Sequence, residues 1–177
     1  VVPAGYAALS PLSAERSVSI VAGDPGTTTT DFTNRPTSAL PLVTSANYSF
    51  EASPNTVALT FSANVATSSL QPGDLVFTRD GTGPVPAVQS VQWNAASKTA
   101  TFVLAGVPDI DAYHAKLTAG SVTNSAVLAN PIDTSLDFFV LAGDGDRSGT
   151  VAIQDFNILA VNFGKSGMKF SQGNYDY

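Results

Sequence analysis

The sequence has no cysteine, one histidine, one tryptophan, one methionine and only two glutamates, Glu15 and Glu51. Each scarcity excludes a class of chemistry. Without cysteine there is no disulfide framework, no thiolate zinc site and no thiol nucleophile. A single His114 cannot build a multi-histidine metal centre. Positive charge is short as well: 8 Lys and Arg stand against 14 Asp and Glu, a formal net charge of −6. That is the wrong sign for a phosphate-binding surface and argues against nucleic acid as a partner. Although 44% of the residues are hydrophobic, no run approaches the ~20 apolar residues of a membrane-spanning helix.

What the sequence does have is serine, threonine, valine and phenylalanine, in 177 residues of which 12% are charged. That length suits one or two domains and is ample for a core. Helix surfaces are usually built from Glu, Lys and Arg, whereas Ser/Thr surfaces over Val and Phe suit strands. Low charge, Thr-rich strands and no cysteine fit exported bacterial domains. Val1-Val2-Pro3 reads as a mature or excised start, so a secreted or cell-surface location is expected.

Three segments follow from the pattern. Residues 1–37 offer one alternating stretch, Arg16–Val21, then Gly23-Asp-Pro-Gly26 and the Thr27–Thr30 run. They read as a linker or the end of a preceding domain. Residues 38–140 show short strands between turn residues. Asn47–Phe50 leads to a turn at Ser53-Pro-Asn55, and Val57, Leu59 and Phe61 alternate with polar or small residues. Asp74–Thr78 follows Gln71-Pro-Gly73, and Val91 and Trp93 share a face. Asn94–Lys98 joins that strand to Thr99–Leu104, whose Ala100, Phe102 and Leu104 point inward. Tyr113, Ala115 and Leu117 alternate next, and Leu136–Val140 closes the block. Seven or more such strands without helical patterns predict a mainly β fold, an immunoglobulin-like antiparallel β-sandwich, with a barrel as the alternative.

The third segment, 141–177, changes character. Phe156, Leu159, Ala160 and Phe163 recur at helical spacing and predict an amphipathic helix over Gln154–Phe163, with Gly164 at its C-cap. Immediately before it stands Asp144-Gly-Asp-Arg-Ser-Gly-Thr-Val-Ala-Ile-Gln-Asp155. With Asp144 at position 1 of a twelve-residue calcium loop, Asp146 falls at 3, Ser148 at 5, Gly149 at 6, Thr150 at 7 and Asp155 at 12. Calcium takes six to eight oxygens, so alternating oxygen donors on a sharply turning loop suit it. Thr150 would offer its backbone carbonyl, and Val151 would tie the loop to a hydrophobic core. Serine at position 5 and the shorter Asp155 at position 12 should weaken the site. Bound Ca2+ would take the net charge of −6 to about −4. With Leu136–Val140 as a strand, there is no entering helix.

Residues 141–177 resemble the dockerin type I repeat of bacterial proteins. The run Val151-Ala-Ile-Gln-Asp-Phe-Asn-Ile-Leu-Ala160, followed by Asn162-Phe-Gly164, carries that resemblance. Phe170–Tyr177 is similar to the entry of a second repeat, with Asn174 and Asp176 at its positions 1 and 3. The expectation is therefore a short EF-hand-like calcium loop and helix, one complete repeat and a truncated second. The resemblance implies a protein partner, cohesin-like or another module of the same assembly, met through Asn157, Val161 and Lys165. The 40–140 block is similar to the immunoglobulin-like domains that precede such C-termini in large secreted proteins.

Function is thus expected to be non-catalytic: a calcium-binding docking or attachment module. The alternative is an accessory module of a secreted carbohydrate-active enzyme, a spacer or a glycan binder, with polysaccharide met through the parent protein or on exposed Trp93, Tyr48 and Tyr113. Catalysis finds only Asp109, Asp111, His114 and Asp137 as acid–base candidates, with nothing to position a nucleophile.

Overall fold

The computed structural model describes residues 39–175. The segment 1–37, with its Arg16–Val21 strand, and Asp176 of the second loop lie outside the described residues. In chain order the elements are β1 (Val43–Ser49), β2 (Thr56–Phe61), β3 (Leu75–Arg79), β4 (Val88–Asn94), β5 (Thr99–Leu104), β6 (Asp111–Leu117), β7 (Thr134–Val140) and α1 (Ile153–Asn162). The strands form two antiparallel sheets, one in the order β1-β2-β5-β4 and the other β3-β6-β7. The described chain is mainly β, with one short α-helix.

Period-two alternation decides which face is inside. On β2 and β5, Val57, Leu59 and Phe61 and their neighbours Ala100, Phe102 and Leu104 are buried. Across the core lie Leu75 and Phe77 of β3 with Tyr113, Ala115 and Leu117 of β6. Phe138 of β7 joins the two sheets. Its ring stacks on Tyr48 of β1 at 4.0 Å between centroids and on Tyr113 at 5.4 Å, and Phe77 meets it edge-on at 6.2 Å. The connection between β4 and β5 turns at Lys98 (φ 54°), with the Asn94 carboxamide accepting the Ala96 and Ser97 N–H groups at 3.0 and 3.2 Å.

The segment between β6 and β7 carries little regular pairing, and two buried asparagines replace the missing ladder. Asn124 accepts from the Ala126 and Leu128 N–H groups, both at 2.9 Å. Asn130 accepts from Val122 and donates to the Thr118 carbonyl, again at 2.9 Å each. Side-chain amides satisfy backbone groups that would otherwise be buried unpaired.

On the outer face of the smaller sheet, His114 lies between two carboxylates: Nδ1 is 2.8 Å from Asp137 and Nε2 2.9 Å from Asp80. Asp80, and then Asp137, hold its pKa above the ordinary histidine value of 6.5. A raised folded pKa contributes stability that is fully present below the unfolded value and is lost as pH rises through the folded one. His114→Gln should therefore lower the melting temperature at pH 5.5 and leave it nearly unchanged at pH 8.5. Equal losses at both pH values in thermal melts would refute the proton linkage.

Candidate metal centre

Beyond β7 the chain leaves the sheet through a turn in which the Asp144 N–H donates to the Leu141 carbonyl at 3.2 Å. The next residues wind around two carboxylates. Asp144 is 0% exposed; one oxygen accepts the Ser148 N–H and the other the Gly149 N–H, each at 2.9 Å. Asp146 shares the Ser148 N–H at 3.0 Å. Arg147 (φ 59°) and Gly149 (φ 85°) adopt left-handed backbone, which turns successive N–H groups inward.

Asp155 closes the loop from the first turn of α1. It is 2% exposed and accepts the Ala152 N–H at 2.8 Å and the Asp146 N–H at 3.2 Å. The Ala152 N–H, chiefly, holds its carboxyl below the usual carboxylate range. Alanine offers no side-chain acceptor at the helix N-cap, so Asp155 supplies half of a capping box.

One carboxylate oxygen from each of Asp144, Asp146 and Asp155 lies within 4.8 Å of the other two. Among the described residues no ion pair neutralises any of them. Arg147, the cation nearest in sequence, is turned away, its guanidinium over the rings of Phe50 and Phe139. Ionised carboxylates 4–5 Å apart repel by about 3–4 kcal/mol at an effective dielectric of about 20. Backbone N–H groups orient the three acids without cancelling that charge. A hard divalent cation would cancel it, and the donor set, all oxygen, fits calcium or magnesium and not a soft metal. The three acids from the sequence pattern are thus brought together. Ser148 and Thr150 lie on the exposed rim, the Ser148 hydroxyl donating to the Thr150 carbonyl at 3.1 Å.

Two expectations about the surroundings are corrected. Val151 is exposed and ties the loop to no core; its methyls rest 3.5 Å from where a Gly143 side chain would begin. Most of the apolar stripe of the helix also faces outward: Phe156 is 61% and Phe163 82% exposed, and Ala160 is exposed as well, whereas Leu159 is half-buried. Asp155 must point at the loop, and Gly173 packs against the backbone of Leu159, where a Cβ would lie 2.8 Å from its Cα. Those two constraints rotate α1 so that Leu159 is the one stripe residue that is half-buried, together with Ile158 beside it. Asn157, Val161 and Lys165 are exposed.

The pattern missed two participants. The Tyr175 hydroxyl donates to the Asp155 carbonyl at 3.1 Å, and burial, then the charges of Asp155, Asp144 and Asp146, push its pKa up. Gly145 leaves room for it: a Cβ there would sit 2.7 Å from the Tyr175 oxygen, so the ring would have to shift. Repeat-like spacing assigned Tyr175 to a second loop and hid this role.

The other candidates do not assemble into a site. Tyr48 and Tyr113 are core residues, and Trp93 is half-buried with its ring 6.0 Å from Phe61, so no exposed stack of these aromatics awaits a sugar. Asp109 and Asp111 are taken up by Arg79, at 3.5 and 2.5 Å, while His114 and Asp137 pair on the other sheet face.

No protein-family model matches the chain, and no curated protein does. Solved structures of a bacterial S-layer protein, SbsC, are similar over 59% of the chain at 19% identity. The N-terminal part of SbsC gives a TM-score of 0.46 with 24% of its own length covered. The protein rSbsC(31-844) gives 0.45 with 14% covered. The chain therefore spans about a quarter or less of the structures it resembles.

Proposed function

We propose that the chain is a non-catalytic module of an exported, modular bacterial protein, in which a calcium-binding loop stabilises a C-terminal element used for attachment or protein–protein assembly. One observation carries the reading: Asp144, Asp146 and Asp155 converge within 4.8 Å, two of them buried, with no cation partner among the described residues. The register of a calcium loop supports the choice of ion, with left-handed backbone at Gly149 where the loop must turn sharply. Calcium supplies positive charge that turns mutual repulsion into shared attraction. Asp144 and Asp155 bring preoriented oxygens to it, fixed by the N–H groups of Ser148, Gly149, Ala152 and Asp146.

The strand orders β1-β2-β5-β4 and β3-β6-β7 support an immunoglobulin-like sandwich, since they reproduce the ABED and CFG sheets of a constant-type domain. An entering strand followed by loop and helix supports the dockerin-type reading of 141–177. Exposed Phe156, Val161 and Phe163 support a protein-facing helix, because exposed apolar patches mark contact surfaces. A cohesin-like partner or another module of the same assembly belongs to this proposal, as does a secreted or cell-surface location. Burial of Tyr48 and Tyr113 removes the support for direct glycan stacking.

The test is a calcium titration by calorimetry on the full chain. One site is expected, with a dissociation constant of about 10⁻⁴–10⁻³ M, as in extracellular calcium modules, and weaker binding of magnesium. Absence of binding heat at millimolar calcium, together with protease sensitivity of residues 144–150 unchanged by EDTA, would overturn the proposal.

A further inference from the structure

Two routes lead from the acidic loop to the β-sandwich, and both end at Phe50, the residue after β1. The first is Arg147, which sits in the loop between Asp146 and Ser148. Its guanidinium carbon is 4.3 Å from the Phe50 ring centroid and 4.1 Å from that of Phe139, and Nη2 donates to the Phe139 carbonyl at 2.7 Å. Phe139 belongs to β7, in the other sheet. The arginine is therefore inserted between the chains of two different sheets, where a planar cation over two rings contributes through cation–π attraction.

The second route is the chain beyond α1. Tyr175 covers Gly145 and bonds to Asp155. Its ring meets buried Phe170 edge-on at 5.2 Å, and Phe170 meets Phe50 edge-on at 5.6 Å. The Ser171 hydroxyl donates to the Glu51 carboxylate at 2.8 Å, and the Phe170 N–H to the Glu51 carbonyl at 3.3 Å. Loop, strap and sandwich edge thus form one packed circuit.

We infer that the loop is a clasp on the sandwich: filling it stabilises the packing of the two sheets as well as the loop itself. The inference rests on the calcium reading of the loop. Arg147 holds a left-handed backbone that costs a non-glycine residue free energy, so it needs its neighbours to hold it. Those neighbours, Asp146 and Ser148, are loop donors. Drawing them to one ion fixes Arg147 between Phe50 and Phe139; mutual repulsion of the acids in the empty loop loosens it.

Trp93, the single tryptophan, reads this out from a distance. It lies on β4, at the opposite edge of the larger sheet from β1. With calcium at about a hundred times the dissociation constant, the melting midpoint of Trp93 fluorescence should rise by about 5–10 °C in the wild-type chain. Arg147→Ala should still bind calcium in calorimetry, more weakly than wild type because the coupling is reciprocal, and with calcium raised to about a hundred times its own dissociation constant should lose most of the Trp93 shift. Arg147→Lys, which keeps a cation and loses the flat stacking, should retain about half, and it decides the matter if Arg147→Ala gives no near-UV circular dichroism. Calcium binding without a Trp93 shift in the wild type overturns the clasp alone, as does a full shift in both arginine variants. No calcium binding at all overturns the clasp together with the function on which it rests.

Discussion

Phe102→Ala is expected to destabilise the sandwich by about 3–5 kcal/mol and to lower its melting midpoint by roughly 6–20 °C. Phe102 is 0% exposed on β5, an interior strand of the larger sheet, directly opposite Val57 on β2 and Val91 on β4. Neighbours on both sides are held by continuous backbone ladders, so the space left by the ring cannot be closed by moving one strand. The cost then includes a cavity as well as lost burial. With typical net stabilities of about 5–15 kcal/mol, such a loss is a large fraction of the whole. Val76→Ala, on exposed β3 positions of the other sheet, serves as the comparison and should stay within about 0.5 kcal/mol. Urea unfolding followed at Trp93 measures both; equal losses would mean that the alternation does not identify the core.

That alternation is why much of the sandwich was legible. Thr99–Leu104 is a strand with the residues that its sequence assigns to it, because Ala100, Phe102 and Leu104 alternate with threonine and valine against a single buried face. The convergence of Asp144, Asp146 and Asp155 was legible for a related reason: a loop that turns sharply leaves few ways to arrange its carboxylates. What lay hidden depends on contacts between distant segments. The asparagines between β6 and β7 serve backbone groups several residues away, with no periodic signal. The stripe of Phe156, Leu159, Ala160 and Phe163 was misleading at all but Leu159, because helical spacing reports an apolar face, not what lies opposite it. Within the described residues the orientation of α1 is set by Asp155 and by Gly173, a glycine beyond the helix. Arg147 illustrates the same limit. Its place in a calcium-loop pattern says nothing of Phe50, almost a hundred residues earlier in the sequence.

Asp146→Asn should change sign with calcium. Asp146 is the exposed member of the triad, and the carboxamide oxygen of asparagine can still accept the Ser148 N–H that now lies 3.0 Å from the carboxylate. The substitution is nearly isosteric, so it leaves packing alone and removes one negative charge. In EDTA that charge meets the Ser148 N–H on one side and two other carboxylates on the other, so its loss should leave the melting midpoint unchanged or raise it slightly. In calcium the same loss removes one of the three anionic donors. At a calcium concentration about a hundred times the wild-type dissociation constant, bound ion contributes about 2.7 kcal/mol of stability. A variant whose affinity falls a hundredfold keeps only about 0.4 kcal/mol of it, by the same relation. The wild-type chain should therefore melt several degrees above the variant in calcium and no higher than it in EDTA. A purely structural turn, in which the acids serve only as acceptors for backbone N–H groups, makes a different forecast. The two melting curves would then keep the same separation in both buffers, and that outcome would remove the ion from the account of this loop.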